Sequence, residues 1–139
     1  MSPSRDVMPL PVSGKVPKSR LLIVDDDPGM RENLAELFES LGYTVLTAEG
    51  TSAALRVLEA GGVDLLLTDY KMPGPTGLEL IEVARQRHPG LRAILMTAFG
   101  DSLTEAESFR RGAAGYMTKP FEADEVVEFV EKILALWVG

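Results

Sequence analysis

Leu21-Leu22-Ile23-Val24-Asp25-Asp26-Asp27, residues 21–27, is the stretch whose reading decides the fold. Four successive apolar residues leave a strand with no polar face, the pattern of a parallel strand covered on both sides. Three carboxylates follow at once, so the carboxyl end of this strand must open onto a polar rim. Pro28 comes next, acceptable in the first turn of a helix because its missing N–H needs no partner there. Met30, Leu34, Leu37, Phe38 and Leu41 then recur at helical spacing, and Gly42 ends the run.

The same strand–loop–helix unit repeats outward from this stretch. Thr44–Ala48 reads as a second strand, residues about 51–60 as a helix closed by Gly61-Gly62, and Val63–Thr68 as a third strand. A Pro/Gly loop, Met72-Pro73-Gly74-Pro75-Thr76-Gly77, leads to a helix over about 77–87 that His88-Pro89-Gly90 stops. Arg92–Met96 is strand four, about Asp101–Arg111 helix four, Ala114–Met117 strand five and about 122–137 helix five. Val126, Val127, Val130, Ile133, Leu134 and Trp137 form the expected buried side of helix five. Strands alternating with helices imply right-handed parallel crossovers. The fold expected is α/β, a three-layer doubly wound sandwich around a five-stranded parallel sheet in the flavodoxin-like order 2-1-3-4-5.

Composition sets the outer bounds. The 139 residues suffice for one domain, and 45% hydrophobic with 25% charged residues is the mix of a soluble globular chain. Residues 1–18, rich in Pro, Ser and Gly, read as a disordered leader before a single domain over 19–139. The absence of cysteine excludes disulfides and thiolate metal sites and favours a cytoplasmic setting. No apolar run is long enough to span a bilayer and no secretory h-region is present, so no membrane partner is expected. The net charge of −7 divides unevenly: residues 1–20 carry +3, and the remainder holds 10 basic against 20 acidic residues. Such an acidic body repels phosphate backbones, so direct nucleic-acid binding is not expected.

In a doubly wound sheet, ligands bind beyond the carboxyl ends of the strands at the switch in strand order. Strand one ends in Asp25-Asp26-Asp27, strand three in Asp69 and strand four in Thr97-Ala98, and Lys119-Pro120 follows strand five. Crowded carboxylates need a cation or a proton to relieve them, and Mg²⁺ suits one or two carboxylates plus waters. A carboxylate is also a nucleophile able to form an aspartyl phosphate. Taken singly, each of these residues reads as a turn, a cap or a β-former; their joint delivery to one end of the sheet carries the functional reading.

The stretches LLIVDDDPGMR, DLLLTDYKMPGPTGLELI, ILMTAFGD and GAAGYMTKPF together resemble the receiver domain of two-component response regulators, over about residues 19–137. The resemblance implies a phosphoacceptor at Asp69, an acidic metal pair at Asp25 and Asp26, and a backbone carbonyl of Lys71 that joins them on Mg²⁺. It also implies a switch hydroxyl at Thr97, a switch aromatic at Tyr116, and an essential lysine at Lys119 in a cis peptide with Pro120. Asp27 is not expected to bind metal. The implied activity is acceptance of a phosphoryl group from a histidine kinase or a His-containing phosphotransfer protein. That transfer would move helix four, strand five and helix five to control an effector or output domain, and homodimers form through that surface in many members. Such a domain is not an enzyme beyond its own phosphorylation and dephosphorylation. Lys71 and Phe99 occupy the positions that modulate hydrolysis; neither offers a carboxyl to orient water, so a long-lived acyl phosphate is expected. The motifs resemble those of receivers joined to transcriptional activators and hybrid kinases, so a stand-alone chain and a piece of a larger regulator both stay open.

Other readings are weaker. A haloacid-dehalogenase enzyme would use Asp25 as nucleophile but needs further acidic metal ligands after the lysine. A flavodoxin-like cofactor carrier would not place three carboxylates in its phosphate loop, and a docking module that is never phosphorylated would not keep the whole set. His88, the only histidine, reads as a solvated or capping residue. Helix four shows a thin apolar side, Leu103, Ala106 and Phe109, which predicts a weakly anchored element. Trp137 and Val138 either pad helix five or meet a partner.

Overall fold

The protein is described here from a computed structural model covering residues 19–98, 100 and 102–136. The expected leader, Phe99, Asp101, Trp137 and Val138 lie outside the described residues. The elements alternate in chain order: β1 (Arg20–Val24), α1 (Pro28–Ser40), β2 (Thr44–Ala48), α2 (Thr51–Glu59), β3 (Leu65–Asp69), α3 (Gly77–Arg87), β4 (Arg92–Thr97), α4 (Ser102–Arg110), β5 (Gly115–Thr118) and α5 (Ala123–Leu136). The strands pair in parallel in the order β2-β1-β3-β4-β5, the order expected for a doubly wound sheet.

Alternation along each strand divides the core into two layers. Leu22, Val24, Leu66 and Leu95 face Ala54 and Leu58 of α2 and Leu80, Ile81 and Ala84 of α3. Leu21, Ile23, Leu65, Leu67, Ile94 and Met96 face Leu34 and Phe38 of α1 and Val126, Val130 and Ile133 of α5. The strand residues in both layers are wholly buried, and each such side chain stabilises the fold by roughly 1.5–3 kcal/mol relative to exposure. Val127 and Leu134, expected on the buried side of α5, are half-buried at its flanks.

Two strands are displaced from their expected spans. β3 starts at Leu65 because Asp64 is spent at the strand's edge: its carboxylate accepts from Arg20 N at 2.8 Å and its own N–H donates to the Arg20 carbonyl at 2.9 Å. β5 runs one residue later, through Thr118, which pairs with Thr97.

Helix α4 corrects a sequence expectation. Its apolar side does not face the core: Leu103 is 81% and Phe109 47% exposed, and Ala106 is exposed too. The one buried residue of the helix is Ser108, whose hydroxyl donates to the Glu105 carbonyl at 2.7 Å. Glu107 ties the helix end to Arg111 at 2.7 Å, and Arg111 reaches Glu82 of α3 at 3.5 Å. Weak apolar anchoring therefore holds, with polar contacts facing inward and apolar side chains outward. His88 is the C-cap of α3, and its ring is half-buried rather than solvated.

Gly77 opens α3 at a point of close approach. Its N–H donates to the Tyr70 carbonyl at 2.8 Å, and a Cβ there would lie 2.1 Å from the Asp69 carbonyl oxygen. The obstacle is backbone, so it cannot rotate away. Gly77→Ala is expected to destabilise the domain by about 1–3 kcal/mol, the usual cost of forced overpacking, read as a lower urea midpoint with unchanged slope. Tyr43 gives a pH-dependent counterpart. It packs edge-on against Phe38 at 5.5 Å, and its hydroxyl lies 3.5 Å from a Glu131 carboxylate oxygen on α5. Burial and then the Glu131 charge push its phenol above the ordinary 10.0. The fold thus favours the neutral phenol: its contribution is full below pH 10 and is lost as pH rises toward the raised folded value. Tyr43→Phe, which cannot ionise, is expected to lose less stability than the wild type between neutral pH and pH 11, measured by circular dichroism melts.

Candidate functional site

The parallel register brings the strand ends to one rim. Val24 pairs with Thr68, Asp69 with Met96, and Thr97 with Thr118, so the residues that follow β1 and end β3 and β4 project from the same edge. Asp25 leaves β1 fully buried; its Oδ1 accepts the Asp27 N–H at 3.0 Å, and its carbonyl accepts from Arg31 Nη1 at 2.8 Å. Asp27 is turned aside to cap α1, accepting the Gly29 N–H at 3.0 Å. The run of three aspartates thereby divides into two pocket carboxylates and one helix cap.

Carboxylate oxygens of Asp25, Asp26 and Asp69 all lie within 4.8 Å of one another. Asp25 and Asp69 are buried, and Asp26 is exposed at the mouth. Lys119 reaches this cluster from beyond β5, its Nζ 3.1 Å from both Asp25 Oδ2 and Asp69 Oδ1. Its backbone N–H donates to the Thr97 carbonyl at 2.8 Å, and the Lys119-Pro120 peptide is cis. Thr97, 1% exposed, sits one ladder position beyond the partner of Asp69. Lys71 lies exposed in the loop two residues past Asp69, and Tyr116 is half-buried on β5 with a buried hydroxyl oxygen.

One ammonium serves two buried carboxylates, and the electrostatics show the imbalance. Burial raises the Asp69 carboxyl above its ordinary value and the neighbouring Asp25 charge raises it further, while Lys119 and the Tyr70 N–H only partly offset this. Burial alone would lower the Lys119 ammonium, but Asp25 and Asp69 outweigh it and hold the group above its ordinary value. The donor set is entirely oxygen, carries excess negative charge and has one exposed member facing water. That chemistry fits a hard divalent cation such as Mg²⁺, which keeps several waters beside a few carboxylates.

Sequence reasoning passed over the supports beneath these residues. Thr51 Oγ1 at the start of α2 donates to the Pro75 carbonyl at 3.1 Å, tying α2 to the loop after Asp69. Met72 in the same loop is buried in the α2–α3 layer. A threonine directly after Gly50 was the visible trace of the tie, but its partner lies 24 residues away.

A five-stranded sheet in this order, with an acidic cluster and a lysine at its switch point, defines a flavodoxin-like domain of the chemotaxis-regulator type. The chain belongs to the response regulator receiver domain family, whose match covers residues 21–131. It is 38% identical over 113 residues to the DNA-binding transcriptional regulator NtrC of Escherichia coli K12, covering 81% of this chain and 24% of that protein. It is 36% identical over 114 residues to the response regulator protein FleR of Pseudomonas aeruginosa, covering 82% and 24%. The chain thus spans about a quarter of the length of these curated relatives. Among solved structures, a receiver domain protein of Methanospirillum hungatei superposes with TM-score 0.81 at 31% identity, covering 84% of this chain and 94% of that one. The response regulator TrrA of Thermotoga maritima, solved in complex with Mg²⁺ and BeF, gives 0.76 at 36% identity, covering 84% and 99%. The haloacid-dehalogenase and flavodoxin-like carrier readings give way to this family. Among the described residues no helix is long and apolar enough to cross a membrane.

The raised Asp69 carboxyl means that its charge costs folded-state stability once pH exceeds its unfolded value. Asp69→Asn is therefore expected to melt at a higher temperature than wild type in EDTA at pH 7. Added Mg²⁺ should raise the melting temperature of the wild type more than that of the variant, measured by scanning calorimetry.

Proposed function

We propose that this receiver domain, spanning residues 19–139, accepts a phosphoryl group on Asp69 from a histidine kinase or a His-containing phosphotransfer protein. The observation that carries the reading is Lys119 Nζ at 3.1 Å from both Asp25 and Asp69, beside the three-carboxylate cluster. An Asp69 carboxylate oxygen attacks phosphorus, the O–P bond forms as the N–P bond of the phosphoimidazole breaks, and the electron pair leaves with the imidazole. Asp25, Asp26, Asp69 and the Lys71 carbonyl would hold Mg²⁺, which supplies neutralising charge for the phosphoryl oxygens when bound. Lys119, already placed on Asp69, exchanges that contact for the incoming phosphoryl oxygens. Thr97 donates its hydroxyl to one of them.

The new charge at Asp69 draws Thr97 inward, and Tyr116 follows into the space beside it. The surface of α4, β5 and α5 changes with them, and this surface signals to an effector or output domain or to a second copy of the chain. Outward-facing Leu103 and Phe109 give that surface the apolar character a protein partner needs. The domain works in the cytoplasm, with neither nucleic acid nor membrane as its direct partner, and it catalyses only its own phosphorylation and dephosphorylation. Lys71 and Phe99 offer no carboxyl to orient a hydrolytic water, so the acyl phosphate is long-lived.

Incubation with acetyl phosphate and Mg²⁺ is expected to add one phosphoryl group to the wild type and none to Asp69→Asn, read by intact-protein mass spectrometry. Lys119→Met should lose the response to phosphorylation. Transfer to Asp25 instead of Asp69, or no transfer at all, refutes the assignment, and rapid loss of the group after donor removal refutes its long lifetime.

A further inference from the structure

The peptide group between Pro75 and Thr76 is held from both sides. Its carbonyl accepts from Thr51 Oγ1 of α2 at 3.1 Å, and its N–H donates to Glu79 Oε1 of α3 at 2.8 Å. One peptide plane thereby clasps two helices that are separated in the chain by the whole of β3. The residues before it have little freedom of their own. Pro73 and Pro75 have their φ fixed by the ring, and Gly74 between them turns through φ +80° with no atom within 4 Å of where a Cβ would be. Proline leaves ψ free, so the direction of the Pro75 carbonyl is set from outside, by the hydroxyl of Thr51. That residue is only 8% exposed, and it opens a helix whose N-cap, Gly50, makes no side-chain bond. The loop is closed at its neck by the Gly77 N–H on the Tyr70 carbonyl at 2.8 Å. Lys71 stands between that neck and buried Met72.

We propose that Thr51 is a positioning residue for the divalent cation: its hydroxyl raises the affinity for Mg²⁺ by holding the loop that carries the Lys71 carbonyl in its binding conformation. The inference rests on the phosphoryl-accepting reading above, and it concerns metal affinity rather than transfer. Thr51 is uncharged and stands outside the carboxylate–lysine cluster. Removing its hydroxyl therefore leaves the charge of the site as it was, and any effect on the cation travels through the loop. With the clasp closed, the loop is ordered when the domain folds. With it open, the cation has to order the loop as it binds, and that cost subtracts from its affinity. Groups that hold a ligand in place commonly govern metal affinity without touching the metal.

The test uses the full chain and MgCl₂ as the probe. Dissociation constants are read from amide shifts of Tyr70 and Lys71 in ¹⁵N spectra, and melting curves are recorded in EDTA. Wild type is expected to bind Mg²⁺. Thr51→Val, which keeps the branched shape and loses the hydroxyl, is expected to bind it several-fold more weakly, and Thr51→Ser, which keeps the hydroxyl, as wild type does. With acetyl phosphate, Thr51→Val should need more Mg²⁺ than wild type but reach the same extent of phosphorylation at saturating Mg²⁺. An unchanged dissociation constant in Thr51→Val overturns the proposal, even if the variant melts lower in EDTA, because the bond then serves the fold alone. Weak binding by Thr51→Ser overturns it too. If Thr51→Val does not fold, Thr51→Ala carries the comparison, and failure of both to fold also overturns it. No Mg²⁺ binding by wild type sinks the phosphoryl-accepting reading itself, whereas binding by wild type with no loss in the variant sinks the role of Thr51 alone.

Discussion

A single ammonium placed against two buried carboxylates is the interaction on which the rest of this structure turns. Lys119 stands at equal distance from Asp25 and Asp69, and it neutralises the pair incompletely, as the raised Asp69 carboxyl shows. Buried charge left uncompensated is costly. The fold tolerates the deficit because Asp26 is exposed to water beside the pair and because the fully buried leucine, isoleucine and valine layers of the core stabilise the domain independently of the site. The strain of the site is thus paired with its capacity to take up positive charge or exchange partners.

Holding that geometry requires more than the sheet. The segment after Asp69 is fixed at three points: Met72 enters the α2–α3 layer, Pro75 accepts from Thr51, and Gly77 returns to the backbone of Tyr70 and Asp69. A loop pinned at its start, middle and end presents its backbone in one conformation, which keeps the Asp69 carboxylate at its head in place. The opposite wall is fixed by backbone pairing instead, through Lys119 N–H to the Thr97 carbonyl.

The strand order and the gathering of Asp25, Asp26, Asp69 and Lys119 were legible in the sequence, since both follow from where apolar runs stop and which residue comes next. Periodicity carries that information within one element or its edge. It failed at α4, where the apolar residues Leu103, Ala106 and Phe109 pointed to a core-facing side that the helix does not have. A helix seated by Ser108 and by charge pairs leaves no apolar signature of its inner face. The contacts of Gly77 and Thr51 were likewise invisible, because each depends on a neighbour brought near only by folding.

The inverted seating of α4 has a consequence for how the molecule meets its medium. Glu107, Arg111 and Glu82 hold the helix through partly solvated pairs, and dissolved ions weaken such pairs over a distance of about 8 Å at physiological strength. The leucine layers feel no such screening. Added salt therefore acts selectively, loosening one helix at the rim while the sheet beneath keeps its shape. The same salt favours covering the bare leucine and phenylalanine on its outer side, so the ionic medium both frees this helix and encourages it to be capped by another protein.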